Sequence, residues 1–130
     1  MLFDSDVLIW VLRGQKEAVD FLYSASQKDK TMSIISYMEL LEGARNKREL
    51  TLLKKWIAYE KFQILPLNEE IGGIASDLIE KFVLSDNLEI DDALIAATAV
   101  FYDKTLLTGN VKHFRKLGIK IRAFEIFNAQ

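Results

Sequence analysis

The sequence predicts an α/β fold, a three-layer α/β/α sandwich with a mostly parallel central sheet of about five strands. Short apolar runs of strand length are separated by longer stretches in which apolar residues recur at helical spacing. Because parallel strands need a crossover between them, strands that alternate with helices favour a parallel sheet covered on both faces. The predicted strands are residues 1–3, 32–35, 62–65, 105–107 and 119–122.

The composition predicts a single domain that covers residues 1–130. Half of these residues are hydrophobic, enough for one sizeable core. Cysteine is absent, which excludes a disulfide framework and a thiolate metal site and suits a reducing compartment. The chain shows neither a signal-peptide pattern nor an apolar run of membrane-spanning length. We therefore expect a cytoplasmic protein that does not enter a membrane.

Three acidic residues stand where the predicted strands lead into helices. Asp4 follows the first strand, Glu39 follows the second, and Asp92 opens an apolar helix before the fourth. Ligands of parallel α/β sheets bind beyond the carboxyl ends of the strands, so we expect these acids to share one edge. Grouped carboxylates repel one another unless a cation neutralises them, and oxygen donors suit Mg²⁺ or Mn²⁺.

Other metal and catalytic chemistries fit the composition less well. With no cysteine and His113 as the single histidine, zinc lacks its usual ligands. The same shortage removes the usual nucleophile and base partnerships of acyl transfer. Metal-assisted chemistry on phosphate esters remains.

Each acid also has a purely structural interpretation. Asp4 or Asp6 can cap the helix that follows it. Glu39 stands three residues after Ser36, the spacing of a capping box, and Asp92 favours a helix start through the macrodipole. The functional interpretation rests on the presence of an acidic residue near each of three separate predicted strands.

Four motifs resemble those of PIN-domain nucleases and occur in that family's order. They read Leu-Phe-Asp-Ser-Asp-Val-Leu-Ile over residues 2–9, Ser-Tyr-Met-Glu-Leu-Leu-Glu-Gly-Ala over 36–44, Asp-Ala-Leu-Ile-Ala-Ala-Thr-Ala over 92–99 and Thr-Gly-Asn-Val-Lys-His-Phe over 108–114. They run nearly from end to end of the chain. Its length is similar to that of the VapC-like toxin ribonucleases of type II toxin–antitoxin systems.

The resemblance implies a metal-dependent endoribonuclease that hydrolyses RNA phosphodiester bonds with water activated by Mg²⁺ or Mn²⁺. It further implies a homodimer and a cognate antitoxin protein that silences the enzyme. By this resemblance the metal ligands are Asp4, Glu39 and Asp92, and Asn110 joins them as a catalytic residue.

The remaining motif residues have supporting roles in the same interpretation. Asp6, Glu42 and Asp91 are expected as outer acids, and Thr108 is expected to orient water or phosphate together with Asn110. Many PIN domains carry an aspartate where this chain has Asn110. The amide adds no negative charge, which leaves one-metal and two-metal mechanisms both open.

Two rival functions stay open at this point. The spacing of Asp4 and Asp6 is similar to the nucleophile and acid pair of haloacid-dehalogenase-like phosphatases, but that reading leaves Glu39 unused and the chain is short for it. A noncatalytic PIN-like binding module is the second rival, favoured by Asn110.

Basic and aromatic side chains supply secondary expectations. The basic residues can guide an RNA backbone or form an ordinary solvated surface: they are Arg45, Lys47, Arg48, Lys112, Arg115, Lys116, Lys120 and Arg122. The larger aromatic residues are expected mostly in the core, with one or two left for a dimer or antitoxin groove: they are Trp10, Tyr23, Trp56 and Phe62.

Overall fold

A computed structural model describes residues 1–126, and these residues alternate strands with helices. The elements are β1 (Leu2–Phe3), α1 (Ser5–Leu12), α2 (Lys16–Ser24), β2 (Thr31–Ser33), α3 (Ile34–Glu42), α4 (Lys47–Tyr59), β3 (Gln63–Leu65), α5 (Glu69–Asp86), α6 (Ile90–Phe101), β4 (Leu106–Thr108), α7 (Val111–Arg115) and β5 (Ile121–Ala123). A short 3₁₀ turn, Gln27–Asp29, precedes β2.

Every strand pairing in the described residues is parallel, which confirms the predicted fold class. One sheet has the order β1-β4-β5, and β2 pairs with β3 in a second, two-stranded sheet. The Thr31 hydroxyl donates a hydrogen bond to the backbone carbonyl of Met1, so β2 lies beside β1. The sheet of about five strands that we predicted is therefore divided into two hydrogen-bonded sheets, which lie side by side at β1 and β2.

The core lies on both sides of the strands, as expected for a three-layer arrangement. Alternate residues of β1 point to opposite faces: Phe3 belongs to the cluster beneath α1, α2 and α4, whereas Leu2 belongs to the cluster beneath α6. Phe3 meets Phe62 edge to face, with ring centroids 5.6 Å apart. No helix in this part of the chain is both long enough and apolar enough to cross a bilayer.

Helix α6 is the central buried helix that the sequence predicted. Its alanines are fully or almost fully buried, and Ile95 is 1% exposed. Small side chains bring this helix close to α5, its most extensive packing partner. The buried interior of α6 fixes its first turn, where Asp91 and Asp92 lie, at one end of the sheet.

The start of α3 differs from the prediction. The predicted second strand ran to residue 35, but α3 begins at Ile34, and Ser33 is its N-cap. The Ser33 hydroxyl accepts a hydrogen bond from the Ser36 backbone N–H at 2.9 Å. The predicted capping box is therefore wrong, because Ser36 lies inside the helix. Glu39 is left without a capping role.

We predict that Ser33→Ala lowers the free energy of unfolding by about 1 to 2 kcal/mol, because the buried Ser36 amide loses its acceptor. Urea denaturation measures the change. Ser76→Ala is the control, since this hydroxyl is exposed on α5 and bonds only to the Gly73 carbonyl within residues 1–126. Equal stability of the two variants would contradict the cap at Ser33.

Candidate active site

Asp4 lies at the end of β1 and is tied to the neighbouring strand β4. Its Oδ2 atom accepts a hydrogen bond from the Thr108 hydroxyl at 2.7 Å. Its Oδ1 atom accepts from the Ser5 backbone N–H at 2.8 Å, so Asp4 is also the N-cap of α1. The residue is only 6% exposed. The capping interpretation of Asp4 is thus correct, and it coexists with a position in the acidic cluster.

Ser5 connects Asp4 to Glu39. While its backbone N–H contacts Asp4, its hydroxyl donates to Glu39 Oε1 at 3.0 Å. Sequence reasoning did not assign Ser5 a role. The available signal was a small hydroxyl residue directly after the first motif aspartate, but its partner lies on α3 and is remote along the chain.

Asp6 joins α1 to the loop after β4. Its Oδ2 atom accepts a hydrogen bond from the Gly109 backbone N–H at 2.9 Å. A Cβ atom built on Gly109 would lie 2.9 Å from that same Oδ2, so a larger residue here would displace the Asp6 carboxylate. The next residue, Asn110, is exposed and donates its backbone N–H to the Thr108 hydroxyl at 2.9 Å.

Asp92 faces the same region from the start of α6. Its Oδ2 atom lies 3.4 Å from His113 Nδ1, and its backbone N–H donates to Asp91 Oδ1 at 2.9 Å. The sequence pattern does not predict this contact of His113 with a proposed metal ligand, because the two residues lie on different helices. Glu42 is exposed at the end of α3 and makes no hydrogen bond to these acids within the described residues.

The electrostatics of the site are dominated by burial. Burial, reinforced by the nearby Asp6 carboxylate, raises the pKa of Asp4 to about 7 against the opposing effect of the Thr108 hydrogen bond. Burial also raises the pKa of Glu39 to about 7, with Asp91 adding to the shift. The pKa values of Asp6 and Asp92 are raised for the same main reason.

No lysine or arginine in the described part of the chain forms an ion pair with these acids, and only His113 contacts one of them. Across residues 1–126, no three acidic or histidine side chains are compact enough to count as a formed metal-binding group. Ser5 instead bridges Asp4 and Glu39 through its backbone N–H and its hydroxyl, and Thr108 joins Asp4 to the Asn110 backbone. This donor set, oxygen-rich and without a cationic partner, has the chemistry that Mg²⁺ and Mn²⁺ prefer.

Two depressions open beside the acids. The first has a volume of about 550 Å³ and is lined by Asp92, Asn110, Lys112 and His113, among others. The second, of about 450 Å³, is shallower and is lined by Trp10 together with Asp6, Gly109 and Asn110. Neither depression is lined by the buried Asp4 or by Glu39, and Glu39 lines a third groove between α1, α3 and α4.

Several predicted RNA-guiding cations are held in local surface pairs. These are Arg45 with Glu49, Lys116 with Asp86 and Lys120 with Asp103. Among the large aromatic residues expected mostly in the core, Phe62 is 9% exposed, whereas Tyr23, which is 72% exposed, is one of those left at the surface. Trp10 is 39% exposed and is likewise not a core residue.

We predict that Asp4→Asn stabilises the metal-free protein, and more so at pH 8 than at pH 5. The folded protein keeps on Asp4 a proton that the unfolded chain releases near pH 4, so wild-type stability falls as the pH rises from about 4 to about 7. Asparagine carries no charge and removes this dependence. The gain in the free energy of unfolding should be ~2 kcal/mol larger at pH 8 than at pH 5.

Urea denaturation in the presence of EDTA measures this difference. The matched control is Asp77→Asn, the same substitution at an exposed position of α5, which should change stability equally little at both pH values. A gain for Asp4→Asn that did not depend on pH would contradict a buried carboxylate with a raised pKa.

Comparison with known proteins agrees with this geometry. The sequence profile of the PIN domain matches residues 1–120. Ribonuclease VapC10 of Mycobacterium tuberculosis is 40% identical to this chain over 119 residues, which cover 88% of this chain and 85% of that protein. Ribonuclease VapC2 of Methanocaldococcus jannaschii is 32% identical over 120 residues, which cover 78% of each.

Solved structures share the fold. A toxin–antitoxin complex from Klebsiella pneumoniae superposes with a TM-score of 0.78 at 27% identity, covering 96% of this chain and 98% of that one. DNA-bound VapBC from Salmonella typhimurium gives a TM-score of 0.81 at 19% identity, covering 94% and 96%, and shows the fold alone. The resemblance carried by the four motifs is thereby confirmed, and the chain belongs to the PIN-domain family.

Proposed function

We propose that this chain is an endoribonuclease, the toxin of a toxin–antitoxin pair, and that it hydrolyses RNA phosphodiester bonds with Mg²⁺ or Mn²⁺. One observation carries the proposal. The Asp4 carboxylate is buried at the end of a parallel strand, bonded to Thr108 and close to the charges of Asp6 and Glu39. Within residues 1–126, no cationic side chain forms an ion pair with it. The 40% identity of this chain to Ribonuclease VapC10 supports the same reaction.

The acids have distinct roles in this proposal. Asp4, Glu39 and Asp92 would hold the cation, either directly or through water. When bound, a divalent cation lowers the pKa of a water molecule and neutralises charge on the phosphate oxygens. Within the protein, Thr108 fixes one oxygen of Asp4, and Ser5 fixes one oxygen of Glu39.

The remaining polar groups shape the loop after β4. Asp6 holds the backbone of Gly109 and so sets the position of Asn110. The Asn110 amide faces the cavity and can donate to a phosphate oxygen or accept from water. Asp91 adds negative charge beside Glu39 and orients the backbone of Asp92. Glu42, exposed one turn beyond Glu39, is the least supported of the predicted outer acids.

The partners follow from the relatives. Several structural neighbours are toxin–antitoxin complexes, which supports a cognate antitoxin for this chain. An open groove of about 580 Å³ between α1, α3 and α4 offers a surface for it, because Leu12 is 44% exposed and Leu52 is 54% exposed there. We further propose that the protein is a cytoplasmic homodimer. We also propose that residues 1–130 form a single domain, of which the structure describes residues 1–126.

The rival functions fare unequally. A phosphatase nucleophile must reach its substrate, yet Asp4 is 6% exposed and both its oxygens accept hydrogen bonds. The noncatalytic module draws support from the uncharged Asn110 and from the loose spacing of the acids across residues 1–126. Cleavage assays decide between this module and the nuclease.

We predict that Asp92→Asn and Asp4→Asn each reduce metal-dependent cleavage of RNA by at least about 100-fold, because each removes a carboxylate from the cation site. The measurement uses purified, antitoxin-free protein and end-labelled RNA with Mg²⁺ or Mn²⁺. Circular dichroism verifies that the variants are folded. Asp77→Asn serves as the matched control and should retain wild-type activity, since its side chain is exposed on α5.

Two results would count against the proposal. Unchanged cleavage by folded Asp92→Asn protein would remove that residue from the site. If wild-type protein cleaved no RNA with either cation, the noncatalytic module would be the better explanation. Trapping of an aspartyl-phosphate mimic on Asp4 with a metal fluoride would instead favour the phosphatase.

A further inference from the structure

Helix α1 carries an acid, an aromatic and a basic residue along its solvent-facing side. Asp6, Trp10 and the C-cap residue Arg13 follow one another at spacings of four and three residues, which places them on one face. The opposite face is buried and consists of Val7, Leu8 and Val11. We call this series, in which Asp6 is half-buried and Trp10 and Arg13 are exposed, the α1 stripe; it extends about 10 Å along the helix axis.

Trp10 occupies the middle of the α1 stripe, and the folded core does not account for it. The side chain is 39% exposed and lines the shallow depression of about 450 Å³ together with Asp6, Gly109 and Asn110. Asp6 and Asn110 are polar groups of the proposed active site, and Phe124, Glu125 and Ile126 also line the depression. A large indole surface left open beside such groups favours a ligand with both a flat apolar face and polar edges.

Arg13 adds a positive charge next to Trp10, whereas the charged residues of the proposed metal site are acidic. Its guanidinium carbon lies 6.0 Å from the centroid of the Trp10 ring, and the residue is exposed. Positive charge beside an exposed aromatic ring is the combination that binds single-stranded nucleic acid, in which cations contact the backbone and rings stack on bases.

We infer that Trp10 stacks against an unpaired base of the RNA next to the cleaved phosphate, and that Arg13 contacts the adjoining backbone phosphate. This inference rests on the proposed function and deepens it by naming a single-stranded substrate. Asp6 and Asn110 line the same depression as Trp10. A base stacked on Trp10 therefore places the phosphate of that nucleotide near the acids. Arg13 does not line this depression; it lines the neighbouring groove between α1, α3 and α4, together with Glu39 and Leu12, so the two surfaces meet at the end of α1.

The kinetic test compares Trp10→Ala with Trp10→Phe on a single-stranded RNA that wild-type protein cleaves. Loss of stacking should raise KM by about 10- to 100-fold and change kcat by less than about 3-fold, because stacking binds the ground state and the transition state alike. Phenylalanine retains a flat ring and should restore most of the affinity. Tyr59→Ala removes an aromatic side chain that is 82% exposed on α4, and it is the matched control.

A binding test does not depend on cleavage. The chain has two tryptophans, so Trp56→Phe leaves Trp10 as the only indole fluorophore. In EDTA, single-stranded RNA should quench this fluorescence, whereas an abasic oligonucleotide of equal length should quench it far less. Arg13→Gln should weaken binding of both ligands and reduce the salt dependence by about one phosphate contact.

The outcomes separate this inference from the proposed function. If wild-type protein cleaves RNA but Trp10→Ala keeps its KM and no quenching occurs, the stacking role is overturned and the nuclease stands. If Trp10→Ala keeps its KM but escapes inhibition by the co-purified antitoxin, Trp10 belongs to the protein interface, and the inference is again overturned. If the protein cleaves nothing yet RNA quenches Trp10, the nuclease fails and the single-stranded RNA contact holds.

Discussion

The hydrogen bond from the Thr108 hydroxyl to Asp4 Oδ2 is the contact on which the rest of the site depends. It joins the first strand to the fourth across 104 residues of sequence and is fully buried. Since Asp4 also caps α1, this bond aligns a strand, a helix and the loop after β4 at once. The Gly109 backbone and the Asn110 backbone are then held by Asp6 and Thr108. Without the fixed Asp4, the other acids would have no common point to converge on.

The same arrangement carries an electrostatic cost. Asp4 and Glu39 both have pKa values raised to about 7 by burial and by neighbouring carboxylates, so at neutral pH the folded state tolerates charge that the unfolded chain would solvate. The apolar packing of α6 and of the β1 and β4 side chains offsets this cost. A ligand that supplies positive charge would stabilise such a site. The residues whose burial costs free energy are therefore the same ones that suit a functional cation site.

The fold and the main acids could be predicted because they depend on local pattern. The strand-length apolar runs and the all-round apolar α6 lie within short windows of sequence. So do Asp4 directly after β1, Glu39 in the helix after β2 and Asp92 in the first turn of α6. The predicted capping box was wrong because Ser33 and Ser36 are equally suitable N-cap residues by their chemistry. Only the backbone geometry shows that Ser33 is the N-cap. The contacts of Ser5 and His113 join elements remote in sequence, so no local pattern revealed them.

By itself, the sequence determined which residue types stand at the ends of which elements, because helix and strand periodicity and strand-end polarity are properties of neighbouring residues. It therefore predicted the α/β class and placed Asp4, Glu39 and Asp92 at one edge. Tertiary structure alone decided which acids are buried, which are bonded and which are left at the surface. Exposure and pKa depend on neighbours brought together from all parts of the chain, and for that reason Asp4 is held by Thr108 while Trp10 remains open beside the site.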